Sequence, residues 1–484
     1  MSTRSDCSVE YPDLSLYIDG RWLAPGARAG EAVLDPATGV AIGWLPHAEA
    51  ADLDEALRCA RAGFAVWRKV PAYERARVLR RAAALVRERR DRIARVLTLE
   101  QGKLTVEAQG EVDAAADIIE WSAEEARRIY GRVIPARSED LTQMMVQEPV
   151  GPVAAFTPWN FPASTPARKI SGALAAGCSI ILKASEETPG TAIELVQAFH
   201  EAGVPAGALA LVFGVPAQVS QHLIGSPVIR KISFTGSIPV GKLLTRLAAD
   251  GLKRVTMELG GHGAALVFAD ADVRQAARTL ASGRFRNAGQ VCIAPSRFFV
   301  HGSVVDEFCD EFVLAAQQTR VGDGFDPAAT MGPLVSERRV RAMQTLVDDA
   351  LASGGTLLCG GRRIERPGCF FEPTVIREPA AGCRLMQEEP FGPVAPVVAF
   401  DDLDSVMEQA NSLPYGLSAY VFSRDLGTAL SAARRLEAGM VAVNSLSLAL
   451  TETPFGGVKE SGIGHEGGTE GVEAYTVKKY VSLV

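Results

Sequence analysis

The stretch that decides the fold runs from residue 153 to residue 186 and reads VAAFTPWNFPASTPARKISGALAAGCSIILKASE. Its pattern indicates an apolar strand (Val153 to Phe156), a helix of small residues (Ala167 to Ala176) and a second strand (Ser179 to Leu182). Apart from Ser179 both strands are apolar, which is typical of strands that are covered on both faces of a parallel sheet. This part of the chain therefore predicts a β–α–β unit.

The same alternation continues toward the C-terminus. Helix patterns at 188–201 and 237–249 alternate with strand patterns at 210–213, 231–235 and 254–258. After Gly260 and Gly261 a second run begins, with strands near 264–268, 298–300 and 441–443 interleaved with helices. We therefore expect an α/β protein with two α/β domains, with the double glycine as the hinge region. Fold class alone does not decide function.

The two ends of the chain follow other patterns. Residues Leu16 to Pro46 predict short strands, with Asp19-Gly20 as a hairpin turn, and Leu53 to about Ile129 predicts helices. Leu141 to Val150 and Ala474 to Val484 both have strand character although they are remote in sequence. We expect these two stretches to pair into a small oligomerisation sheet.

Composition excludes several classes of protein. The 484 residues are 47% hydrophobic and 22% charged with a net charge of −7, which rules out disorder, collagen and a small disulfide scaffold. The acidic balance argues against nucleic acid and anionic membranes as partners. No signal-peptide core or long apolar span is visible, so a cytoplasmic protein is expected. The eight cysteines and six histidines show no metal-binding spacing, so no metal site is expected.

A first phosphate-binding signal lies at Thr235–Lys242, TGSIPVGK, where a strand turns into a helix. The loop nearly matches a nucleoside-triphosphate loop, but Leu243 lacks the hydroxyl that such a loop uses for magnesium, and Pro239 removes an N–H donor. A triphosphate site and a bare turn are the alternatives. The favoured interpretation is a site for the diphosphate of a dinucleotide.

A second signal is Lys183-Ala184-Ser185-Glu186, directly after a predicted strand. A carboxylate at this place accepts hydrogen bonds from ribose hydroxyls and repels a 2′-phosphate, which favours NAD over NADP. A solvated charged loop is the alternative. Ser185 beside Glu186 leaves room for a phosphate, so the use of NADP also stays open.

One cysteine stands out from the other seven. Cys292 ends the segment Phe285–Cys292, FRNAGQVC, in which a polar turn precedes the thiol. A nucleophilic cysteine needs partial exposure and donors that stabilise an oxyanion, and its own N–H and an asparagine amide are suitable donors. Three other motifs raise the weight of this interpretation: TPWNFP at 157–162, MELGG at 257–261 and EEPFGP at 388–393.

With the closing motif PFGGVKESG at 454–462, these motifs make the chain resemble the aldehyde dehydrogenase superfamily from about residue 17 to the C-terminus. The resemblance implies a Rossmann-type NAD-binding domain (1–127 and 149–259), a second α/β catalytic domain (260–459) and a small β flap for oligomerisation (128–148 and 460–484). It implies a homodimer or a homotetramer.

The resemblance also implies roles for individual residues. Cys292 is the implied nucleophile, Glu258 the general base and Asn160 the oxyanion-hole donor. The implied cofactor-binding residues are Thr157, Pro158, Trp159, Lys183, Ser185, Glu186, Phe234, Gly236, Ser237, Gly260, Glu389 and Phe391. Many members carry Glu where Pro239 stands, which leaves the start of the following helix open.

These residue types fit one reaction. A thiolate adds to the aldehyde carbon, hydride leaves for the nicotinamide, and water activated by Glu258 hydrolyses the resulting thioester. The branch of the family that makes acyl-coenzyme A lacks this carboxylate, so a free carboxylic acid is expected here. A cysteine esterase is the alternative of a different class, but the absence of a histidine near Cys292 in the sequence argues against it.

The substrate follows from a closer resemblance to the succinate-semialdehyde and 2-oxoglutarate-semialdehyde dehydrogenases. Arg168 and Arg286 match two arginines that hold the substrate carboxylate there, and Phe161 and Phe455 are further expected substrate contacts. Succinate semialdehyde is the first expectation. A 2-oxoglutarate semialdehyde and a broad range of aromatic or aliphatic aldehydes are the alternatives. Leu450 stands near a position where several members carry Ser, and Ala294 replaces a second redox cysteine.

Overall fold

A computed structural model describes residues 11–484 of the chain. Residues 1–10, which include Cys7 and the start of the expected NAD-binding domain, lie outside the described residues. Four sheets organise the rest, two of them large and mainly parallel. The expected α/β class is confirmed.

The first large sheet has the order β19-β11-β10-β7-β8-β9-β1-β2. Its five central strands run parallel, while β1, β2 and β19 pair antiparallel at the two sides. The strands are β1 (Leu16–Ile18), β2 (Arg21–Leu23), β7 (Val153–Phe156), β8 (Ile180–Lys183), β9 (Leu209–Val212), β10 (Lys231–Gly236), β11 (Arg254–Leu259) and β19 (Gly462–Ile463).

Helices cover both faces of this sheet because alternate strand residues point to opposite sides. Ala155 and Leu182 join one apolar cluster, whereas Phe156 and Ile181 join the other. The helices of this half are α1 (Ala50–Trp67), α2 (Ala72–Glu88), α3 (Arg90–Gln101), α4 (Thr105–Ala126), α5 (Ser164–Ala176), α6 (Pro189–Glu201), α7 (Pro216–Gly225) and α8 (Ile238–Ala249). A separate hairpin is formed by β3 (Gly30–Leu34) and β4 (Ala41–Pro46).

The second large sheet has the order β14-β15-β16-β13-β12-β17-β18 and is parallel except for β14. Its strands are β12 (Gly263–Val267), β13 (Pro295–His301), β14 (Thr356–Cys359), β15 (Thr374–Arg377), β16 (Val394–Phe400), β17 (Ser418–Phe422) and β18 (Met440–Val443). The helices of this half are α9 (Val273–Phe285), α10 (Val305–Gln318), α11 (Glu337–Ala352), α12 (Arg384–Gln387), α13 (Leu403–Asn411) and α14 (Leu426–Arg435).

The two remote strand patterns pair, as expected from the sequence. β20 (Thr476–Leu483) lies antiparallel to β6 (Thr142–Pro149) over the whole length of both strands, and β5 (Arg132–Ile134) completes a three-stranded sheet. The short helix α15 (Glu470–Glu473) precedes β20. We call these three strands the outer sheet.

Two features differ from the sequence prediction. The sequence did not predict α7, because this short segment contains four polar residues and its apolar side consists only of Val219, Leu223 and Ile224. Gly462–Ile463 lies in the expected oligomerisation segment, yet it pairs with β11 at the side of the first large sheet. No helix within residues 11–484 is both long and apolar enough to cross a membrane.

The fold brings two edges together. β11 ends at Leu259 and β12 begins at Gly263, so only a short link joins the carboxyl edge of the first large sheet to the amino edge of the second. Loops that leave the first sheet and loops that enter the second therefore meet in one cleft. The candidate site lies there.

Candidate active site

The strand order places a switch point between β7 and β10, where successive connections leave the first sheet in opposite directions. Open parallel sheets bind ligands at the carboxyl ends of strands beside such a point. Thr157 follows β7, and Thr235 lies near the end of β10. Both side-chain hydroxyls are buried without a hydrogen-bond partner among residues 11–484. This arrangement suits a polar ligand such as a nucleotide.

The N-terminus of α8 lies beside the same point. Ser237 caps the helix with an extended backbone and is exposed, and its carbonyl accepts from the Gly241 N–H at 2.9 Å. Pro239 lies in the first turn and does not disturb the helix start, because the first N–H groups of a helix have no partner inside the helix. Gly236 has no room for a side chain, since a Cβ would lie 2.4 Å from the ring of Phe234.

The segment after β8 forms a second part of the cleft. Lys183 is buried and pairs with the half-buried carboxylate of Glu186. Burial raises the pKa of Glu186, although the charge of Lys183 and its hydrogen bond oppose this shift. The Ser185 hydroxyl donates its hydrogen bond to Glu187 at 2.5 Å and not to Glu186. The structure brings these residues together as a charged, partly buried patch.

Glu389 and Phe391 approach from the loop before β16. One oxygen of Glu389 accepts from the Gly261 N–H at 3.2 Å, and a Cβ on Gly260 would lie only 2.3 Å from the other. Burial raises the pKa of Glu389 to about 7, against the opposing effect of the Gly261 N–H. Phe391 has a positive φ of 46°, and its ring meets the edge of the Trp159 ring at 5.5 Å. Trp159 and the preceding Pro158 are both half-buried.

Cys292 lies in the turn between a 3₁₀ helix (Arg286–Gly289) and β13, at the amino edge of the second large sheet. The backbone of Asn287 and Ala288 is left-handed, with φ of 49° and 51°. Such a conformation is costly for residues other than glycine and is often found at functional sites. Cys292 itself is half-buried, and a Cβ on Gly261 would lie 2.9 Å from its carbonyl oxygen.

The surroundings of the thiol control its ionisation. Burial, followed by the negative charges of Glu389 and Glu258, raises the pKa of Cys292 to about 12. The N–H groups of Ile293 and of Cys292 itself act in the opposite direction. The thiol is therefore held protonated at neutral pH until a positive charge or a base offsets the two carboxylates.

Asn160 lies next to the nucleophile turn with only 4% of its surface exposed. Its Nδ2 donates one hydrogen bond to the Gln290 carbonyl at 3.0 Å. An amide nitrogen carries two hydrogens, and no second acceptor for this one is present in the described chain. The remaining N–H is available to an oxyanion formed at the thiol.

Glu258 is the last residue but one of β11 and is 2% exposed, and neither of its carboxylate oxygens has a hydrogen-bond partner among residues 11–484. Burial raises its pKa well above the ordinary value, and the charge of Glu466 adds to the shift. The positive charges of Lys169 and Arg168 oppose it. A buried carboxylate without a partner is unusual and marks this group as a candidate base.

A buried polar cluster lies behind Glu258. Lys169 is fully buried, and its Nζ donates to Glu466 at 2.5 Å and to the Ser233 hydroxyl at 3.0 Å. The Ser233 hydroxyl also donates to Glu466 at 3.0 Å. Sequence reasoning assigned no role to Lys169 or Glu466, although Lys169 follows Arg168 directly.

Two arginines lie at the proposed substrate side, each against an aromatic ring. The guanidinium of Arg168 lies 5.5 Å from the ring centre of Phe455, and that of Arg286 lies 5.7 Å from the ring centre of Phe161. Burial lowers the pKa of Arg168, while the charges of Glu466, Glu258 and Cys292 raise it. Its Nη1 is buried with no hydrogen-bond partner in the described chain. Arg286, in contrast, is exposed.

Other buried residues around the site were not found from the sequence. Arg284 is fully buried, and its guanidinium donates to the carbonyls of Gly289 and Gly392 at 2.6 Å each and of Pro295 at 3.2 Å. It therefore ties the nucleophile turn to the loop of Phe391. Arg339 donates to the Phe391 carbonyl at 3.0 Å. Both arginines bind backbone atoms, which leave no side-chain pattern in the sequence.

Comparison with known proteins agrees with this geometry. The profile of the aldehyde dehydrogenase family matches residues 22–481. The chain belongs to the aldehyde dehydrogenase family. Its activity is accordingly the oxidation of an aldehyde, and members of this family use NAD or NADP.

Three similar proteins differ in the substrates that their names give. A putative 4-(hydroxymethyl)benzenesulfonate dehydrogenase of Comamonas testosteroni is 47% identical over 478 residues, 99% of each chain. A 3-sulfolactaldehyde dehydrogenase of Pseudomonas putida is 43% identical over 96% of each chain. The crystal structure of succinate-semialdehyde dehydrogenase from Burkholderia pseudomallei is 41% identical, covers 100% of each chain and has a TM-score of 0.96.

Proposed function

We propose that this aldehyde dehydrogenase oxidises an aldehyde that carries an anionic group, with NAD as the preferred oxidant, through a thioester on Cys292. The observation that carries the proposal is the position of Arg168. The charges of Cys292 and Glu258 both raise the pKa of its guanidinium, yet its Nη1 has no hydrogen-bond partner in the described chain. A half-buried cation whose buried Nη1 lacks an acceptor, beside the reacting groups, suits a substrate anion.

The first half of the reaction uses Cys292 and Asn160. The Cys292 thiol first loses its proton to solvent. The thiolate sulfur then adds to the aldehyde carbon, and the carbonyl oxygen becomes an oxyanion in a thiohemiacetal. The free N–H of Asn160 and the N–H of Cys292 stabilise this charge. A bound nicotinamide would accept the hydride that leaves the same carbon. The product of this half is a thioester on Cys292.

The second half uses Glu258. Its carboxylate, with both oxygens free of partners among residues 11–484, takes a proton from water as the water attacks the thioester. The sulfur leaves as a thiolate and the carboxylic acid is released. Lys169 and Glu466 lie behind Glu258, and their charges act on its pKa in opposite directions: Glu466 raises it and Lys169 lowers it.

The residues of the first sheet fit a dinucleotide. Thr157 and Thr235 supply unpartnered hydroxyls, the start of α8 supplies N–H groups for the diphosphate, and Glu186 would accept from ribose hydroxyls. The carboxylate of Glu186 also supports NAD over NADP, because a 2′-phosphate would meet a negative charge. Glu389 and Phe391 would lie at the nicotinamide end of the nucleotide.

The first candidate substrate is succinate semialdehyde. Its aldehyde and carboxylate are separated by a short chain, and Arg168 and Arg286 offer two guanidinium groups near the nucleophile turn. Leu450, near the position where several relatives carry Ser, is 47% exposed and offers no hydrogen bond to a carboxylate.

A second candidate is an aldehyde with a sulfonate group. Two of the similar proteins carry a benzenesulfonate or a sulfolactaldehyde in their names. Sulfonate and carboxylate are both anions that arginine binds, so both substrates need the same cation. The Phe161 and Phe455 rings beside the arginines also suit an aromatic sulfonate.

A panel of aldehydes tests the proposal. We would measure kcat/KM for succinate semialdehyde, 4-formylbenzenesulfonate and benzaldehyde, each with NAD and with NADP, in the wild type and in Arg168→Met. The variant is expected to lose at least about 30-fold on the two anionic aldehydes, the equivalent of ~2 kcal/mol, and little on benzaldehyde. Arg278→Met is the control, since this exposed arginine pairs with Glu311 outside the candidate site.

Two results would contradict the proposal. An equal loss on charged and uncharged aldehydes would remove the anion-binding role of Arg168. Higher kcat/KM with NADP than with NAD would remove the role of Glu186 in cofactor choice.

A further inference from the structure

A set of four buried or partly buried polar side chains lies behind the catalytic turn and has no part in the mechanism described above. They come from the end of α3, the short link after it and the first half of α4, and we call them the brace: Gln101, Lys103, Glu107 and Glu111. Gln101 is fully buried, Lys103 is 1% exposed and Glu111 is 6% exposed. Buried charged groups are costly unless they are paired, so such a concentration needs an explanation.

Lys103 connects the brace to Asn160. Its Nζ donates to the backbone carbonyl of Asn160 at 2.8 Å and to Glu111 at 2.6 Å, and it lies 4.2 Å from the ring centre of Phe161. The other oxygen of Glu111 accepts from the N–H groups of Ala163 at 2.8 Å and Ser164 at 3.1 Å. The segment that carries Asn160 is therefore fixed at Asn160 itself and at Ala163 and Ser164, which follow it.

Gln101 and Glu107 connect the brace to the nucleophile turn. The Nε2 of Gln101 donates to Oδ1 of Asn287 at 3.0 Å, and the Asn287 N–H donates to Glu107 at 2.9 Å. Asn287 is the first of the two residues with a left-handed backbone before Cys292. A strained conformation persists only where its surroundings hold it, and these two hydrogen bonds do so.

Asn160 and Asn287, which the brace contacts separately, are also linked by hydrogen bonds. Nδ2 of Asn287 donates to the Asn160 carbonyl at 3.2 Å, and Nδ2 of Asn160 donates to the Gln290 carbonyl at 3.0 Å. The brace is itself fixed to the second half of the molecule, since the Thr105 N–H donates to the Gly324 carbonyl at 2.9 Å. Movement of any one member therefore shifts both the amide and the turn.

We infer that the brace positions the two groups that act on the aldehyde, the amide of Asn160 and the thiol of Cys292. Its members do not touch the reacting atoms and are positioning residues. An oxyanion-hole donor is effective only when its N–H already points to where the charge develops. The inference rests on the roles proposed above for Asn160 and Cys292, and not on which aldehyde is the substrate.

Two variants test the inference. Lys103→Met removes the ammonium group that donates to the Asn160 carbonyl. Gln101→Met removes two neutral hydrogen bonds, to Oδ1 of Asn287 and from the Lys103 N–H, with little change in volume. We would measure kcat and KM with NAD, both for propanal and for succinate semialdehyde, together with the isotope effect of the deuterated aldehyde. Arg75→Met is the matched control, because Arg75 is a buried cation that donates to the carbonyls of Ala175 and Val70.

The inference predicts a loss in kcat without a change in the KM for NAD. The expected fall is on the order of 100-fold for Lys103→Met and about tenfold for Gln101→Met, equal for both aldehydes. The isotope effect should increase, because poor stabilisation of the oxyanion makes the steps up to hydride loss slower than hydrolysis. Arg75→Met should lose thermal stability but keep kcat per folded molecule.

The inference is overturned if Gln101→Met keeps the wild-type kcat, or if Lys103→Met loses activity only in proportion to its unfolded fraction. Gln101→Met still tests the inference if Lys103→Met does not fold. The use of two aldehydes separates this test from the proposed function. A failure of the anion preference changes the ratio between the two substrates, whereas a failure of the brace leaves kcat unchanged on both.

Discussion

At the scale of single residues, position rather than burial or charge distinguishes the proposed nucleophile from the other thiols. Cys178 is fully buried and its Sγ donates to a backbone carbonyl, whereas Cys292 is half-buried and faces two carboxylates. Burial raises the pKa of both thiols. What sets Cys292 apart is therefore not its acidity but its position beside Asn160, Glu258 and the carboxyl edge of the first sheet.

Replacement of this thiol separates chemistry from binding. Cys292→Ala is expected to abolish aldehyde oxidation, because no other group can hold the acyl intermediate, while the dissociation constant for NAD stays near the wild-type value. Cys369→Ala, at another half-buried thiol, is the control and should keep full activity. Steady-state NADH formation and quenching of protein fluorescence by NAD measure the two properties. Substantial oxidation by Cys292→Ala would exclude the covalent route.

The raised pKa of Glu258 predicts a pH dependence with a definite sign. Burial favours the neutral acid, so the base is protonated at low pH and the rate of hydrolysis rises as the pH increases through its raised pKa. Glu258→Gln should show a rapid first turnover of NADH followed by a slow phase that lacks this pH dependence. Stopped-flow absorbance at several pH values measures both phases. A slow first turnover would contradict the assignment of Glu258 to hydrolysis.

The sequence predicts some residues of the site and misses others. Cys292, Glu258 and Asn160 stand in motifs whose residue types match a reaction. Lys103 and Glu107 act through backbone carbonyl and N–H groups, and their partners lie far away in the chain. A signal was present, however. Gln and Lys flank a helix-breaking glycine at 102, and glutamates follow at 107 and 111 on one helix face.

At the scale of elements, Arg284 holds the turn before Cys292 and the loop of Phe391 at a fixed separation. Arg284→Met removes the guanidinium donor that the carbonyls of Gly289, Gly392 and Pro295 share, which should lower the free energy of unfolding by about 3 kcal/mol. The loop of Phe391 should also loosen, so the KM for NAD rises. Denaturant unfolding and steady-state kinetics measure these changes. Arg278→Met, on the exposed side of the same helix, should leave both values unchanged.

Strands and helices with strong apolar patterns were predicted well from the sequence. The pairing of β6 with β20 was also predicted, from alternation alone. The positions of β1, β2 and β19 beside the first sheet were not, because antiparallel additions at a sheet edge depend on which edge the folded chain leaves open. The short helix α7 was missed since its apolar side has only one turn of contact residues.

At the scale of the whole molecule, the outer sheet is partly unpartnered. Val133, Tyr480 and Leu483 lie in it with 75%, 56% and 50% of their surfaces exposed. Apolar groups at an open sheet edge favour association with another chain. We propose that the outer sheet joins copies of this chain into a dimer or a tetramer.

Removal of one strand tests this role. A chain that ends after Tyr475 lacks β20, and we expect it to sediment as a smaller species than the full chain. A chain that ends at Leu483 keeps the strand and serves as the control. Analytical ultracentrifugation measures both. If both chains sediment as the same oligomer, the contact between subunits does not depend on β20.

The central claim is that the acyl group passes through Cys292 and leaves by hydrolysis at Glu258. The most direct test is mass spectrometry of Glu258→Gln, quenched in acid after one turnover with NAD and succinate semialdehyde. One acyl group per site is expected on the peptide that contains Cys292, formed together with one NADH. NADH without an adduct, or an adduct on any other cysteine, would contradict it.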